Sequence, residues 1–211
     1  MEKNRIGILF SGGTESTALI KYYKDKNYDI SLLYIFMGYE WEKTEFKHAE
    51  LVANFFNLSV DSLDFSNHFN SKSLGKVTNV QENIIILRNL TLLTLSSLYF
   101  INKNIFNLSF GLQEDFDYPD SNIEYIKKVE DLIKIGSMQK NFKIEIPFYN
   151  TLKEDILRNY DLPLNLIFSC ANPINNERCN KCFKCNELNN ALLKNHKYNQ
   201  NIDIINLYAK K

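Results

Sequence analysis

The sequence lacks any excess of one charge. Lys plus Arg number 25 and Asp plus Glu number 25, so the net charge is zero with His neutral. That removes a global electrostatic case for a nucleic-acid or acidic-membrane partner. No basic run, Gly/Ser linker or low-complexity segment occurs. No apolar stretch is long enough to span a bilayer: the longest, Ile84 to Ile101, is broken by Arg88, Asn89 and several hydroxyl residues. The first residues contain no apolar signal region, so no membrane association and a cytoplasmic location are expected. The 4 cysteines all lie beyond residue 169, and in that compartment they are not disulfides by default. Also absent are the Gly-Lys-Ser/Thr of a Walker loop and the Gly-x-Gly-x-x-Gly of a dinucleotide fold.

What is present is a different phosphate-binding pattern. An apolar run, Ile6–Phe10, leads into Ser11-Gly12-Gly13-Thr14-Glu15-Ser16, and a helix-like segment follows. Strand, glycine turn and helix start in that order make an anion cradle. Glycines let the backbone turn sharply, and the unpaired N–H groups of the first helical turn favour negative charge. Ser11, Thr14 and Ser16 add hydroxyl donors.

With 211 residues, 45% of them hydrophobic, the chain can bury the core of one α/β domain with an appendage. Apolar runs alternate with helical patterns, which predicts an open, mostly parallel sheet with helices on both faces. Expected strands are Ile6–Phe10, Ile30–Phe36, Val60–Phe65, Asn107–Phe110 and Lys143–Ile146. Expected helices are Glu15–Lys24, Glu42–Phe56, Asn83–Ile101, one from Ser121 through Ile135, and one from Thr151 to Tyr160. The second helix should turn Phe46, Ala49, Leu51, Val52, Ala53 and Phe56 inward. Ser121 with Glu124, and Thr151 with Glu154, read as capping boxes. Polar residues 66–82, with Gly75, read as a lid. Ligands of such sheets sit beyond the carboxyl ends of the strands, where the cradle and Gly111–Asp120 lie.

Cys170, Cys179, Cys182 and Cys185 form Cys-x8-Cys-x2-Cys-x2-Cys. Four soft ligands at this spacing suit a fully occupied, structural tetrahedral zinc site. An iron–sulfur cluster uses similar ligands, and a redox couple is a further alternative. The expected division is a nucleotide-binding domain, 1–165, and a zinc-binding tail, 166–211.

The cradle resembles the pyrophosphate loop Ser-Gly-Gly-x-Asp-Ser of the ATP pyrophosphatases, with Glu15 at the Asp position. Cradle and cysteine cluster together resemble the 7-cyano-7-deazaguanine synthase (QueC) family. Leu87-Arg88-Asn89, Tyr118-Pro119-Asp120 and Ser169-Cys170 with Cys179-x-x-Cys182-x-x-Cys185 match its motifs in order. The resemblance implies an adenine-nucleotide α-hydrolase type of fold. It implies ATP and magnesium as co-substrates, structural zinc, and a ligase that adenylates 7-carboxy-7-deazaguanine and transfers it to ammonia. Ser11, Gly12, Gly13, Thr14, Glu15 and Ser16 would hold ATP, with Glu15 and Arg88 the catalytic candidates. Arg88, Asp115, Phe116, Asp117, Tyr118 and Asp120 would hold the deazapurine. A homodimer is implied, and Ile202–Tyr208 is one candidate contact.

Several positions depart from the family. Met37-Gly38-Tyr39-Glu40-Trp41 stands where it has Tyr-Gly-Gln-Arg-His, with His48 further along the helix. Asn180 replaces the Gly after the second cysteine. Asn186-Glu187-Leu188 stands where an Arg is usual. Some QueC-like enzymes of antiviral defence operons join a deazaguanine by an amide to a protein's N-terminus, and a changed acceptor pocket fits such a protein partner. A tRNA-thiolating adenylase and a decayed nucleotide-binding module are the competing classes; the balanced charge argues against the first.

Overall fold

The structure, a computed structural model, describes residues 3–68, 85–113 and 119–195. Most of the expected lid, Asp115 to Tyr118, and Ile202–Tyr208 lie outside the described residues.

Strands β1 (Arg5–Leu9), β2 (Asp29–Phe36), β3 (Val60–Asp64), β4 (Asn107–Phe110) and β5 (Lys143–Glu145) form one sheet in the order β3-β2-β1-β4-β5. Every pairing is parallel. The chain winds outward from β1 to β3, then crosses back to place β4 on the other side of β1. The order therefore reverses between β1 and β4, where an open sheet leaves a crevice beyond its carboxyl edge.

Helices α1 (Thr14–Asp25), α2 (Glu42–Phe55), α5 (Lys153–Asn159) and α6 (Phe183–Lys194) share one core with Ile6, Ile8, Ile30 and Leu32. Helices α3 (Arg88–Asn102) and α4 (Ile123–Ser137) share a second core with Leu33, Ile35, Leu108 and Phe110. Alternate residues of β2 thus enter opposite cores, as the period of a strand requires. Each fully buried Leu, Ile or Phe adds about 1.5–3 kcal/mol.

Four local expectations change. Asn122, not Ser121, caps α4: its side chain accepts the Tyr125 N–H at 2.8 Å, while buried Ser121 accepts from Asn89 Nδ2 at 3.0 Å. Leu152 is the N-cap of α5, and no side chain caps that helix. Leu51 is half exposed, because it falls off the buried Ala49–Val52–Ala53 stripe. Within the described residues α3 begins at Arg88, after Leu87 at φ 58°.

The tail contributes more apolar surface than its composition suggests. Leu188, Ala191 and Leu192 of α6 join the first core, while Phe168, Cys170, Cys182 and Cys185 join the second. His48 of α2 ties down the approach to the cysteines: its Nδ1 lies 2.8 Å from the Leu166 carbonyl, and its ring stacks on Phe168 at 4.9 Å. Among the described residues no helix is long and apolar enough to cross a membrane.

Candidate functional site: a cleft at the sheet edge beside a four-cysteine cluster

The turn after β1 opens α1 without a side-chain cap, since the N-cap is Gly13. The first helical hydrogen bond runs from Thr17 N–H to the Gly13 carbonyl at 2.9 Å. The N–H groups before it lack intrahelical acceptors, as at any helix start. Gly12 sits at φ +74°, and a Cβ there would lie 2.7 Å from Ala49 Cα. Only glycine allows this turn to press against α2. Gly111 ends β4 against the turn; a Cβ there would lie 2.7 Å from that of Glu15. Ser11 Oγ lies 3.2 Å from Ser16 Oγ and accepts the Gly13 N–H at 3.3 Å.

A cleft of about 280 Å³ opens over this turn and over the ends of β1, β2 and β4. Ser11, Gly13, Glu15, Ser16, Arg88 and Asp120 line it. Gly12 and Thr14 do not. Thr14 is buried, and its Oγ1 has no hydrogen-bond partner. Arg88 opens α3, and its buried Nε has no hydrogen-bond partner. Asp120 lines the cleft with both carboxylate oxygens engaged by Asn89: Oδ2 accepts its backbone N–H at 3.0 Å and Oδ1 its Nδ2 at 3.3 Å.

Several cleft residues were not singled out from sequence. Lys153 Nζ lies 2.7 Å from Glu15 Oε1 and 2.7 Å from Glu187 Oε1. Burial disfavours this ammonium, but the two carboxylates outweigh it and push its pKa up. Burial raises the pKa of Glu187, which Lys153 partly offsets. Glu42 turns back to accept the N–H groups of Met37 at 2.8 Å, Gly38 at 2.7 Å and Tyr39 at 3.0 Å. Burial pushes its pKa up to about 7 against those three bonds. Tyr34 donates to Glu45 at 2.8 Å. Tyr39 and Trp41 stack at 4.8 Å and 12°, and Lys184 Nζ stands 5.3 Å from the Trp41 ring centre. The signal in the sequence for Lys153 and Lys184 was weak, since each reads as an ordinary helix-start lysine.

The four cysteine sulfurs lie within 4.8 Å of one another. Separations include 3.5 Å for Cys170–Cys179, 3.9 Å for Cys179–Cys185 and 3.9 Å for Cys170–Cys182. Sulfurs arranged tetrahedrally about 2.3 Å from a zinc ion are about 3.8 Å apart, so this donor set fits a metal. Backbone N–H groups of Asn172 and Cys179 point at Cys170 Sγ, at 3.4 and 3.3 Å, and that of Cys182 at Cys179 Sγ, at 3.3 Å. Such donors offset the negative charge of thiolates. Asn180 takes φ 55° in the turn, a conformation that Asn tolerates better than other non-glycine residues.

Comparison with known proteins agrees with this arrangement. The model of the family "Queuosine biosynthesis protein QueC" matches residues 5–196. A 7-cyano-7-deazaguanine synthase of Buchnera aphidicola is 28% identical, over 98% of this chain and 95% of its own length. One from Archaeoglobus fulgidus is 26% identical, over 89% and 85%. A 4-thiouridine synthetase solved with RNA and bound ATP superposes with a TM-score of 0.50 at 10% identity, covering 73% of this chain and 39% of that one, which shows a shared fold alone. With an open five-stranded parallel sheet and a family match spanning nearly its whole length, this chain belongs to the QueC family of queuosine biosynthesis proteins.

Proposed function

We propose that the protein uses ATP to adenylate the carboxylate of 7-carboxy-7-deazaguanine and passes the acyl group to a nitrogen nucleophile. The observation that carries this reading is a convergence: the capless turn at α1 and the unpartnered Nε of Arg88 face one cleft. A carboxylate oxygen of the substrate attacks the α-phosphorus, and pyrophosphate leaves. Ser11, Gly13 and Ser16 receive the leaving group, with Gly12 and Thr14 contributing backbone. Bound magnesium would offset the pyrophosphate charge. Glu15 acts through Lys153, fixing an ammonium beside the cradle. Arg88 suits phosphate or carboxylate through its planar fork. With ammonia the product is the amide, which a second ATP-dependent dehydration converts to the nitrile.

Asp115, Phe116, Asp117, Tyr118 and Asp120 bind the deazapurine in this reading. The cysteines hold zinc, whose role is to fix the tail 166–211 on the nucleotide-binding domain 1–165. The protein works as a cytoplasmic homodimer.

A second reading has a protein amine as nucleophile, as in the defence-type members. It is favoured by the stacked Tyr39–Trp41 pair in the cleft, where the family has Gln and His. Mass spectrometry of the protein with 7-carboxy-7-deazaguanine, ATP and magnesium, with and without ammonium, separates the two. Ammonium-dependent nitrile supports the first. Pyrophosphate release that stops at acyl adenylate or amide supports the second. No pyrophosphate overturns both.

A further inference from the structure

We propose that Lys184 and Arg88 form a seat for one oxyanion, built between the N-termini of α3 and α6; the assignment of its source rests on the ligase reading above. Arg88 is the first residue of α3, and Lys184 is the second of α6. Both helices begin on the cleft, and both side chains line it. Neither helix has an acidic residue in its first turn. A cation at a helix N-terminus opposes the helix dipole, so helix stability does not explain either residue. An anion placed there would satisfy both dipoles and both cations.

Among the described residues neither cation is held in an ion pair. The Arg88 Nε is buried without a hydrogen-bond partner. The Lys184 ammonium rests over Trp41, and no carboxylate forms an ion pair with it among the described residues. The acids that line the cleft with it are engaged elsewhere: Glu45 accepts from the Tyr34 hydroxyl at 2.8 Å, and Glu187 holds Lys153 at 2.7 Å. Two like charges facing one cleft are relieved by an oxyanion between them. The carboxylate of the deazapurine acid and a phosphate of ATP share that chemistry.

Isothermal titration of the full chain decides it with two pairs of probes. 7-Carboxy-7-deazaguanine is compared with its nitrile, which keeps the ring but lacks the anion. ATP is compared with adenosine. Lys184→Met, which keeps a stem against Trp41, should weaken one charged probe by about tenfold or more. Its neutral counterpart should bind unchanged, and Lys184→Arg should restore most of the loss. Weakened binding of the acid assigns the seat to the substrate carboxylate; weakened binding of ATP assigns it to the nucleotide. Unchanged binding of both charged probes overturns the seat, as does an equal loss for the neutral ones. Metal content is measured in each variant, because Lys184 adjoins Cys185; should Lys184→Met lose metal, Arg88→Met, outside the cysteine turn, carries the same comparison. If the wild type releases no pyrophosphate while Lys184→Met still weakens ATP against adenosine, the ligase reading fails and the seat stands. If the wild type is active and the variant binds both charged probes normally, the seat alone fails.

Discussion

Lys153 Nζ stands 2.7 Å from Glu15 Oε1, joining the first turn of α5 to the first turn of α1 beneath the cleft. A third charge completes the arrangement, because Glu187 of α6 lies at the same distance on the same ammonium. The longer reach of Glu15, compared with Asp at this position, matches the contact. Removing the ammonium would leave two partly buried carboxylates facing each other. Lys153→Met is expected to cost about 3–5 kcal/mol of stability, the penalty for breaking a buried ion pair from one side. Lys153→Arg should cost less. Glu15→Asp should fall between the wild type and Lys153→Met. Urea unfolding of the set checks the order, and a Lys153→Met protein as stable as the wild type would contradict it.

The turn at Gly12 makes a sharper structural demand. Its φ of +74° and the 2.7 Å approach to Ala49 Cα leave no room for a methyl group. Gly12→Ala is expected to lose about 1–3 kcal/mol and to displace α1 from α2. Gly136 is the control, since nothing lies within 4 Å of its added Cβ. Gly136→Ala should therefore be neutral or mildly stabilising in thermal melts, as expected for a helix interior.

Metal removal tests the cysteine cluster directly. The purified protein should carry one metal per cluster by elemental analysis, with zinc as the expected ion. Cys182→Ser should abolish that content and lower the melting temperature, because the turn between Cys179 and Cys185 then has no centre to close on. A strong chelator should reproduce the melting shift in the wild type. A metal-free wild type that melts cooperatively and ignores chelator would leave the thiols as core packing alone.

Much of this was legible in the sequence, for identifiable reasons. Strand β2 announced itself because both of its faces enter cores, giving the apolar run Leu32–Phe36. The cradle was legible because its turn against α2 needs glycine at the positive φ of Gly12, and the metal turn because tetrahedral ligation fixes cysteine spacing. Helix caps were less so: Ser121 and Asn122 are adjacent and chemically equivalent as caps, and only the tertiary contact with Asn89 decides between them. Lys153 and Lys184 were hidden for the same reason. Their partners, Glu15 and Trp41, lie more than a hundred residues away, and no local pattern encodes the pairing. Abundant Asn proved structural. Among the described residues, six of the eight non-glycine positions with positive φ are Asn, including Asn27, Asn57 and Asn104 just after α1, α2 and α3. In a chain with 7 glycines, Asn takes the left-handed positions that end helices.

The last prediction concerns pH and follows from Glu42. Burial raises its carboxyl from the ordinary 4.5 to about 7, even though three backbone N–H groups favour the ionised form. The folded protein therefore holds this proton more tightly than the unfolded chain does. Stability from this group is fully present below about pH 4.5 and is lost as pH rises toward 7. Glu42→Gln cannot ionise, so it should flatten that part of the profile. It should also be less stable than the wild type at acidic pH. Its single oxygen cannot serve donors at both carboxylate positions, and its amide nitrogen would face a backbone N–H. Urea unfolding at closely spaced pH values between 4.5 and 8 reads both effects. A wild-type profile that rises across this window, with the variant parallel to it, would show that Glu42 is ionised throughout and that its three N–H bonds outweigh its burial.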